Sequence, residues 1–389
     1  MNHPTDAATL YQKRYGAAPT AAARSPGRVE ILGNHTDYNG GYVLTVALDK
    51  TITLHGERLL NSEAVIYSLA FDDETRFPLE SLVHDPAHPW ADYVKGVLDE
   101  LRKAGIAFGG FRAVIGGDLP KEGGVSSSAA LETATALLAQ ALYPYSLEKM
   151  ELAALCRRAE NRFVGMPCGI LDQFSAVFGE KNSMLFLDCD TLAHKVLPLK
   201  EPAPVIILCN SQVKHKLVEG NYKKRRRQCE AAAQIFGERL GRPVRFLRDI
   251  TIREFLDLED NLDDVQRRRA RHVMYENQRV LHGVAALQIN DLIHLGELMR
   301  LSHESSRDNF ENSCDELNIL VEEADKIPGC YGSKLTGGGF GGCTVNLVEN
   351  GKAESFAKTI QERYAARTGK DCAPLLCAIG AGAEILSRP

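Results

Sequence analysis

The stretch Arg24–Lys50, RSPGRVEILGNHTDYNGGYVLTVALDK, constrains the fold more than any other part of the chain. Its two apolar runs, VEIL and YVLTVAL, are rich in β-branched residues and bounded by Gly, Asn and Asp, which predicts two strands. Arg28, Asn34, His35 and Asp37 crowd around the turn between them. Polar side chains wedged between buried strands must be satisfied by something, and a polyhydroxylated ligand would suit them. A hairpin turned at Asn39-Gly40 explains the same residues without any ligand, and this stretch alone leaves both readings open.

Composition narrows the class. Of 389 residues, 44% are hydrophobic and 25% charged, as in an ordinary soluble protein, and the length predicts two to three domains. A net charge of -5 argues against nucleic acid or a membrane surface as partner. The basic run Lys223–Arg227 reads as a helix face, because Gln-Cys-Glu-Ala-Ala-Ala follows it. Ten cysteines without CxxC spacing read as reduced thiols. No secretory h-region opens the chain and no apolar run approaches the ~20 residues of a membrane span, so a cytoplasmic location is expected.

The coarse pattern predicts strands at 28–32, 42–48, 52–56, 64–68, 111–115, 184–187, 205–209, 343–348 and 375–378. Helices are expected at 91–103, 126–142, 147–161, 218–236, 264–287, 290–302, 313–327 and 352–367. A strand-rich first half gives way to a helix-rich second half near Glu180–Asn182, which divides the chain into lobes 1–180 and 181–389.

A second constellation is GGDLPKEGGVSSSAALETATALLAQ, Gly116–Gln140. Gly123 and Gly124 lead into Ser126, Ser127 and Ser128, and then into an Ala/Leu-rich helix. Glycines admit an anion close to the backbone, and a helix N-terminus favours phosphate. A serine hydroxyl there can serve magnesium, which prefers hard oxygen ligands. Three serines exceed what a helix N-cap needs. The Walker pattern is absent, which excludes a P-loop ATPase. The third constellation is KLTGGGFGGCTVNLV, Lys334–Val348, with five glycines in the six positions 337–342. It fits GxGxxG, but a strand follows where a dinucleotide fingerprint needs a helix, so that reading fails.

In this order the three stretches resemble the galactokinase family of the GHMP kinase superfamily. GRVEILGNHTDYNGGYVL is similar to the galactokinase signature, LPKEGGVSSSAALE to the superfamily phosphate motif and LTGGGFGGCTV to its third motif. PWADYVKGV, AENRFVGMPCGILDQFSAVFG, NYKKRRRQCEAA and SRDNFENSCDEL extend the likeness nearly end to end. The resemblance implies an α+β, two-lobed GHMP kinase fold with a mixed sheet and helices in each lobe and the active site in the interlobe cleft. It implies a sugar-1-kinase passing the ATP γ-phosphate to the anomeric hydroxyl of galactose, with Mg2+ as cofactor and sugar and ATP as the only partners of an expected monomer.

It also implies roles. Asp172 matches the catalytic aspartate and Arg28 the arginine facing it. Asn34, His35, Asp37, the Gly169 backbone and Tyr222 fall on sugar-binding positions. Trp90 and Tyr93 border the adenine pocket; Gly123, Gly124, Ser126, Ser127, Gly338 and Gly339 fall on nucleotide-binding positions. Ser128 and Glu160 match the magnesium ligands. Asp172 also stands out without the likeness, because a carboxylate inside the apolar run GILDQFSAVF is costly unless paired or functional. A structural salt bridge with Arg28 would be the plain alternative. Where galactokinases carry glutamate against the sugar's C6 hydroxyl, this chain has Asn34, so galacturonate or N-acetylgalactosamine are alternative substrates. Glu122 stands in place of a motif glycine, Val125 of a leucine and Asp315 of a proline. A catalytically silent galactose sensor and a kinase of a non-sugar alcohol complete the alternatives.

Overall fold

The computed structural model describes residues 7–120, 123–213 and 218–389. Glu122 lies outside the described residues. The chain divides into two compact units. One comprises 1–28, 47–181 and 380–389, the other 29–46 and 182–379. The sequence pattern divided the chain once, at 180/181; the units divide at 181/182 and also exchange two segments. The exchange of 29–46 follows from two long strands. Ala21–Leu32 passes from one unit to the other after Arg28, and Tyr42–Arg58 passes back after Val46.

In the first unit the sheet runs in the order Glu384–Ser387, Ala21–Leu32, Tyr42–Arg58, Phe111–Gly117, Glu63–Ser68 and Asp73–Pro78. Glu63–Ser68 pairs parallel with Phe111–Gly117, and Asp73–Pro78 pairs antiparallel with Glu63–Ser68. Helices bury themselves against one another on this framework. Ala91–Lys103 presents Ala91, Val94, Val97, Leu98 and Leu101 to the core, a helical stripe. Asp92 in its first turn and Arg102 and Lys103 in its last suit the helix dipole. Ser127–Leu142 is buried on every face from Ala129 onward.

In the second unit a four-stranded sheet runs in the order Leu375–Cys377, Val205–Asn210, Cys343–Val348 and Cys330–Leu335, with every pair antiparallel. The glycine run 337–342 links its last two strands, so a strand follows it where a dinucleotide fingerprint needs a helix. Leu320, Ala324, Phe356, Ile360 and Tyr364 cover this sheet. A second core gathers Phe236, Phe255 and Val273 from the helices Val218–Leu240, Ile252–Leu258 and Asp264–Gln288, with Leu247 and Phe310 from the short turns Leu247–Asp249 and Ser306–Phe310. All ten cysteines are free thiols. Among the described residues no helix is long and apolar enough to cross a membrane.

The elements the pattern missed have physical reasons. Strand 42–58 is continuous because Lys50 pairs with Asp49 and Asp118 and Thr51 N–H donates to Asp118, so the polar stretch needs no turn. In Asp73–Pro78 only Thr75 and Phe77 are buried, and the remaining charges hide the alternation. The helix Leu171–Phe178 has no side-chain N-cap to announce it. Ile252–Leu258, by contrast, begins with a Thr251/Glu254 capping box, a signal visible in TIRE.

Candidate active site

The first unit gathers the residues expected from sequence at the catalytic, phosphate and metal positions. Arg28 and Asp172 form an ion pair: Nε donates at 2.8 Å and Nη2 at 2.6 Å to Asp172 Oδ1. Arg28 Nη1 donates to Gly124 O at 2.7 Å, and its backbone N–H donates to Val125 O at 3.0 Å. The arginine therefore fixes the carboxylate and the glycine loop together. Gly124 sits at φ 70° and Gly123 at φ 142°, conformations that side chains resist. Ser126 is the N-cap residue of the helix Ser127–Leu142, yet its side chain makes no cap hydrogen bond. Its hydroxyl donates instead to Asp172 Oδ2. The serines are thus not used up in capping.

Glu160 lies on a π-helical turn, Glu160–Val164, at the end of the helix Lys149–Ala159. Such turns often mark functional sites. Burial first, and then the charge of Asp172, push the Glu160 carboxyl up to about 7, while hydrogen bonds from Cys168, Gln173 and Ser128 pull it down. Gln173 Nε2 bridges Glu160 Oε2 at 2.7 Å and Glu132 Oε2 at 3.0 Å. Glu132 is completely buried, and burial beside Glu160 holds its carboxyl well above the usual range. Among the described residues, Glu132 Oε1 and Gln173 Oε1 have no hydrogen-bond partner. Sequence reasoning missed both residues, although Glu132 stands one helical turn after Ser128, on the same face. Gly169 is buried in the loop before Leu171–Phe178.

Next to the serines is a cavity of about 210 Å³ lined by Phe71, Trp90, Tyr93, Leu119, Ser127 and Ser128, among others. Trp90 Nε1 donates to Asp73 at 2.9 Å, and its ring stacks on Phe71 at 6.1 Å. The structure brings Trp90, Tyr93, Ser127 and Ser128 to the lining of one mostly apolar cavity. Among the described residues no group of three His, Cys, Asp or Glu side chains could hold a metal alone. Ser128 beside Glu160 instead offers hard oxygens in the number magnesium takes when substrate phosphates complete its shell.

The second unit gathers the signature. Gly33 must be glycine: φ is 103° and a Cβ would lie 2.6 Å from Tyr42 O. Thr36 Oγ1 donates to Gly33 O at 2.8 Å and Tyr42 O at 2.6 Å, closing the turn that the Asn39-Gly40 hairpin reading anticipated. Asp37 is half-buried and opens the single turn Asp37–Asn39. The His35 ring lies among Tyr38, Tyr222 and Phe310, at 5.7, 5.3 and 4.6 Å between centroids. Its Nε2 donates to Gly338 O at 3.1 Å, so Nδ1 accepts from Tyr38 Oη at 2.8 Å. Burial lowers this imidazole to about 3, so the ring is neutral.

Asn34 is just as thoroughly engaged. Nδ2 donates to Glu30 Oε2 at 3.1 Å and Gly337 O at 2.9 Å. Oδ1 accepts from Asn312 Nδ2 at 2.9 Å and Ser306 Oγ at 3.3 Å. The loop holding Gly338 and Gly339, assigned from sequence to the nucleotide, is packed on these residues: Gly338 O also accepts from Asn312 Nδ2, and a Cβ on Gly339 would meet Asn312 O at 2.1 Å. In the basic run, Arg225 is buried and donates to Phe310 O and Glu311 O, whereas Lys224 and Arg227 are exposed.

The family model of the galactokinase galactose-binding signature matches residues 9–58, the GHMP kinases N terminal domain 92–180 and the GHMP kinases C terminal 284–366. The Chloroflexus aggregans galactokinase is 39% identical over 372 residues, covering 96% of this chain and 95% of its own. The human galactokinase is 41% identical over 366 residues, covering 92% and 91%. The crystal structure of Lactococcus lactis galactokinase complexed with galactose matches at TM-score 0.92 and 31% identity, covering 97% of this chain and 98% of that one. A mevalonate kinase at 17% identity and TM-score 0.64 shares the fold. By these matches over nearly its whole length, the chain belongs to the galactokinase family of GHMP kinases.

Proposed function

We propose that this protein is an ATP-dependent sugar kinase that phosphorylates galactose at its anomeric hydroxyl. The observation that carries the reading is the Asp172 carboxylate, gripped by Arg28 on one oxygen and by Ser126 on the other, at the head of the glycine-serine helix. Phosphoryl transfer has a loose transition state, so catalysis consists mainly of positioning and charge neutralisation. A carboxylate is a weak base for a sugar hydroxyl; Asp172 orients that hydroxyl and takes its proton late in the transfer. Arg28 keeps Asp172 aimed, through two hydrogen bonds to Oδ1.

The amides beyond Gly123 and Gly124 receive the ATP phosphates, and the Trp90–Tyr93 cavity receives the base. Ser128 and Glu160 would hold Mg2+, whose charge neutralises the phosphate oxygens when bound. The rise of the Glu160 carboxyl to about 7 supports this role, since a buried carboxylate short of positive charge gains most from a cation. Asp37 and Tyr222 hold the sugar, within the frame that Asn34 and His35 build.

The test is sugar-dependent ADP release with galactose, N-acetylgalactosamine, galacturonate and glucose. Galactose is expected to give the highest kcat/KM. Faster turnover of another sugar overturns the substrate, and no ADP with any sugar leaves a silent sensor.

A further inference from the structure

Asn34 stands at the position where the galactokinase likeness places a glutamate on the sugar. Here the side chain is 1% exposed, and both N–H groups and both lone pairs of its amide are engaged by the protein. The partners also fix which way the amide points. Glu30 Oε2 and Gly337 O can only accept, and the Asn312 Nδ2 and Ser306 hydroxyl groups donate. Nothing of this amide is left over for a ligand.

The charges around it are balanced. Glu30 sits in the apolar run VEIL, 4% exposed, and its Oε1 accepts from Lys334 Nζ at 2.6 Å; Lys334 is completely buried. Glu276 Oε1 accepts from the backbone N–H groups of Gly33 at 2.9 Å and Asn34 at 3.2 Å and from Ser302 Oγ at 2.6 Å. Its Oε2 accepts from Arg279 Nε at 2.6 Å. His272 donates from Nε2 to Asn34 O at 2.9 Å, and burial lowers it to about 4, so it is neutral, like His35. The network thus holds two carboxylates, two cations and two uncharged imidazoles. A glutamate at 34 would set a third carboxylate against Glu30 with no cation to match it, in a place closed to water.

We infer that positions 30 and 34 share one negative charge set by Lys334, that this chain carries it on Glu30, and that Asn34 is a positioning residue which offers the sugar no hydrogen bond. The inference rests on the galactokinase reading for its substrate. It deepens that reading: the kinase accepts galactose and its 6-deoxy analogue alike. The sugar is selected by its other hydroxyls, at Asp37 and Tyr222.

The full-length chain and three variants test this: Asn34→Glu, Glu30→Gln and the double variant Glu30→Gln/Asn34→Glu. Thermal melting is followed without sugar. Each single variant is expected to melt lower by about 10 °C or to fail to fold, because each leaves a buried charge unmatched. The double variant is expected to recover most of the loss. A double variant that melts as low as the sum of the singles, or does not fold, overturns the shared charge.

The second readout is kcat/KM for galactose against its 6-deoxy analogue. The wild-type values are expected to agree within about threefold. The double variant, with a carboxylate at position 34, is expected to favour galactose by about tenfold or more. Wild-type discrimination beyond about tenfold overturns the claim that Asn34 offers no hydrogen bond. If neither sugar is turned over, the galactokinase reading fails, while the melting cycle, which needs no sugar, still decides the charge exchange.

Discussion

Around Asp172, the carboxyl groups of Glu132 and Glu160 lie close enough to feel its charge, and Arg28 is the cation paired with Asp172. Around Asn34, Glu30 has Lys334 and Glu276 has Arg279. The consequences show in the titration of the buried acids. Burial and Asp172 drive Glu160 up to about 7. Burial also opposes charge on Glu276, but Arg279, His272 and Lys334 overcome it and hold that carboxyl far below its ordinary value. One cluster is short of positive charge, as a site awaiting a metal-nucleotide should be. The other is complete without a ligand, as a frame that presents its neighbours should be.

The sharpest way to break this contrast is to neutralise acids in the first cluster and look at rate rather than folding. Asp172→Asn keeps the shape and removes the proton acceptor. The expected result is a kcat lower by about 10²–10⁴-fold, with the galactose KM within about threefold of wild type. Steady-state kinetics with equal kcat would remove Asp172 from its role. Asp37→Ala is expected to act the other way. It leaves a sugar hydroxyl unpaired and raises KM about 5- to 150-fold, with a smaller change in kcat; an unchanged KM would take Asp37 out of the sugar site.

A matched pair of isosteres then sharpens the comparison. Glu160→Gln removes a carboxylate that burial disfavours, so melting without metal is expected to rise by a few degrees while the half-saturating Mg2+ concentration rises about tenfold or more. Glu276→Gln removes a carboxylate that its surroundings favour, so melting is expected to fall, again by several degrees. Calorimetry of the two variants side by side decides it. If both shift melting in the same direction, the clusters do not differ as described.

Much of this was legible in the residues, and the limits are instructive. The helix Ala91–Lys103 and the strand Cys343–Val348 are visible at their observed bounds, because each shows one uninterrupted period and sharp ends. Arg28, Asp172 and the serines could be named because motif glycines and an acid in an apolar run are local signals. What sequence could not reveal is pairing at long range. Asn34 reads as a ligand group until Ser306, Asn312 and Gly337 are seen to consume its amide. Lys334 and Glu30 are 304 positions apart, and nothing local announces that a lysine before a glycine loop neutralises a glutamate in the first strand. The buried acid within VEIL was the available hint, and it carries the same cost argument that singled out Asp172.

Acid offers the mildest perturbation, and it acts on the two clusters with opposite sign. The buried histidines His35 and His272 titrate at about 3 and about 4 in the fold, against an ordinary 6.5. Between those values the unfolded chain binds the protons, so their contribution to stability is full above about 6.5 and is lost as pH falls toward 4, on the order of 1 kcal/mol per pH unit for each ring. Glu160 behaves oppositely. Its value is raised from 4.5 to about 7, so the folded chain binds the proton first, and its neighbourhood gains stability as pH falls from 7 toward 4.5. Amide hydrogen exchange at pH 7 and pH 5 on the metal-free protein separates the two effects. Protection, corrected for intrinsic exchange rates, is expected to drop at 33–41 and 272–277 and to hold or rise at 156–164. His272→Gln is expected to flatten the first response and leave the second. Equal loss of protection in both segments would show that the clusters open together, and that the difference in charge balance does not govern their local stability.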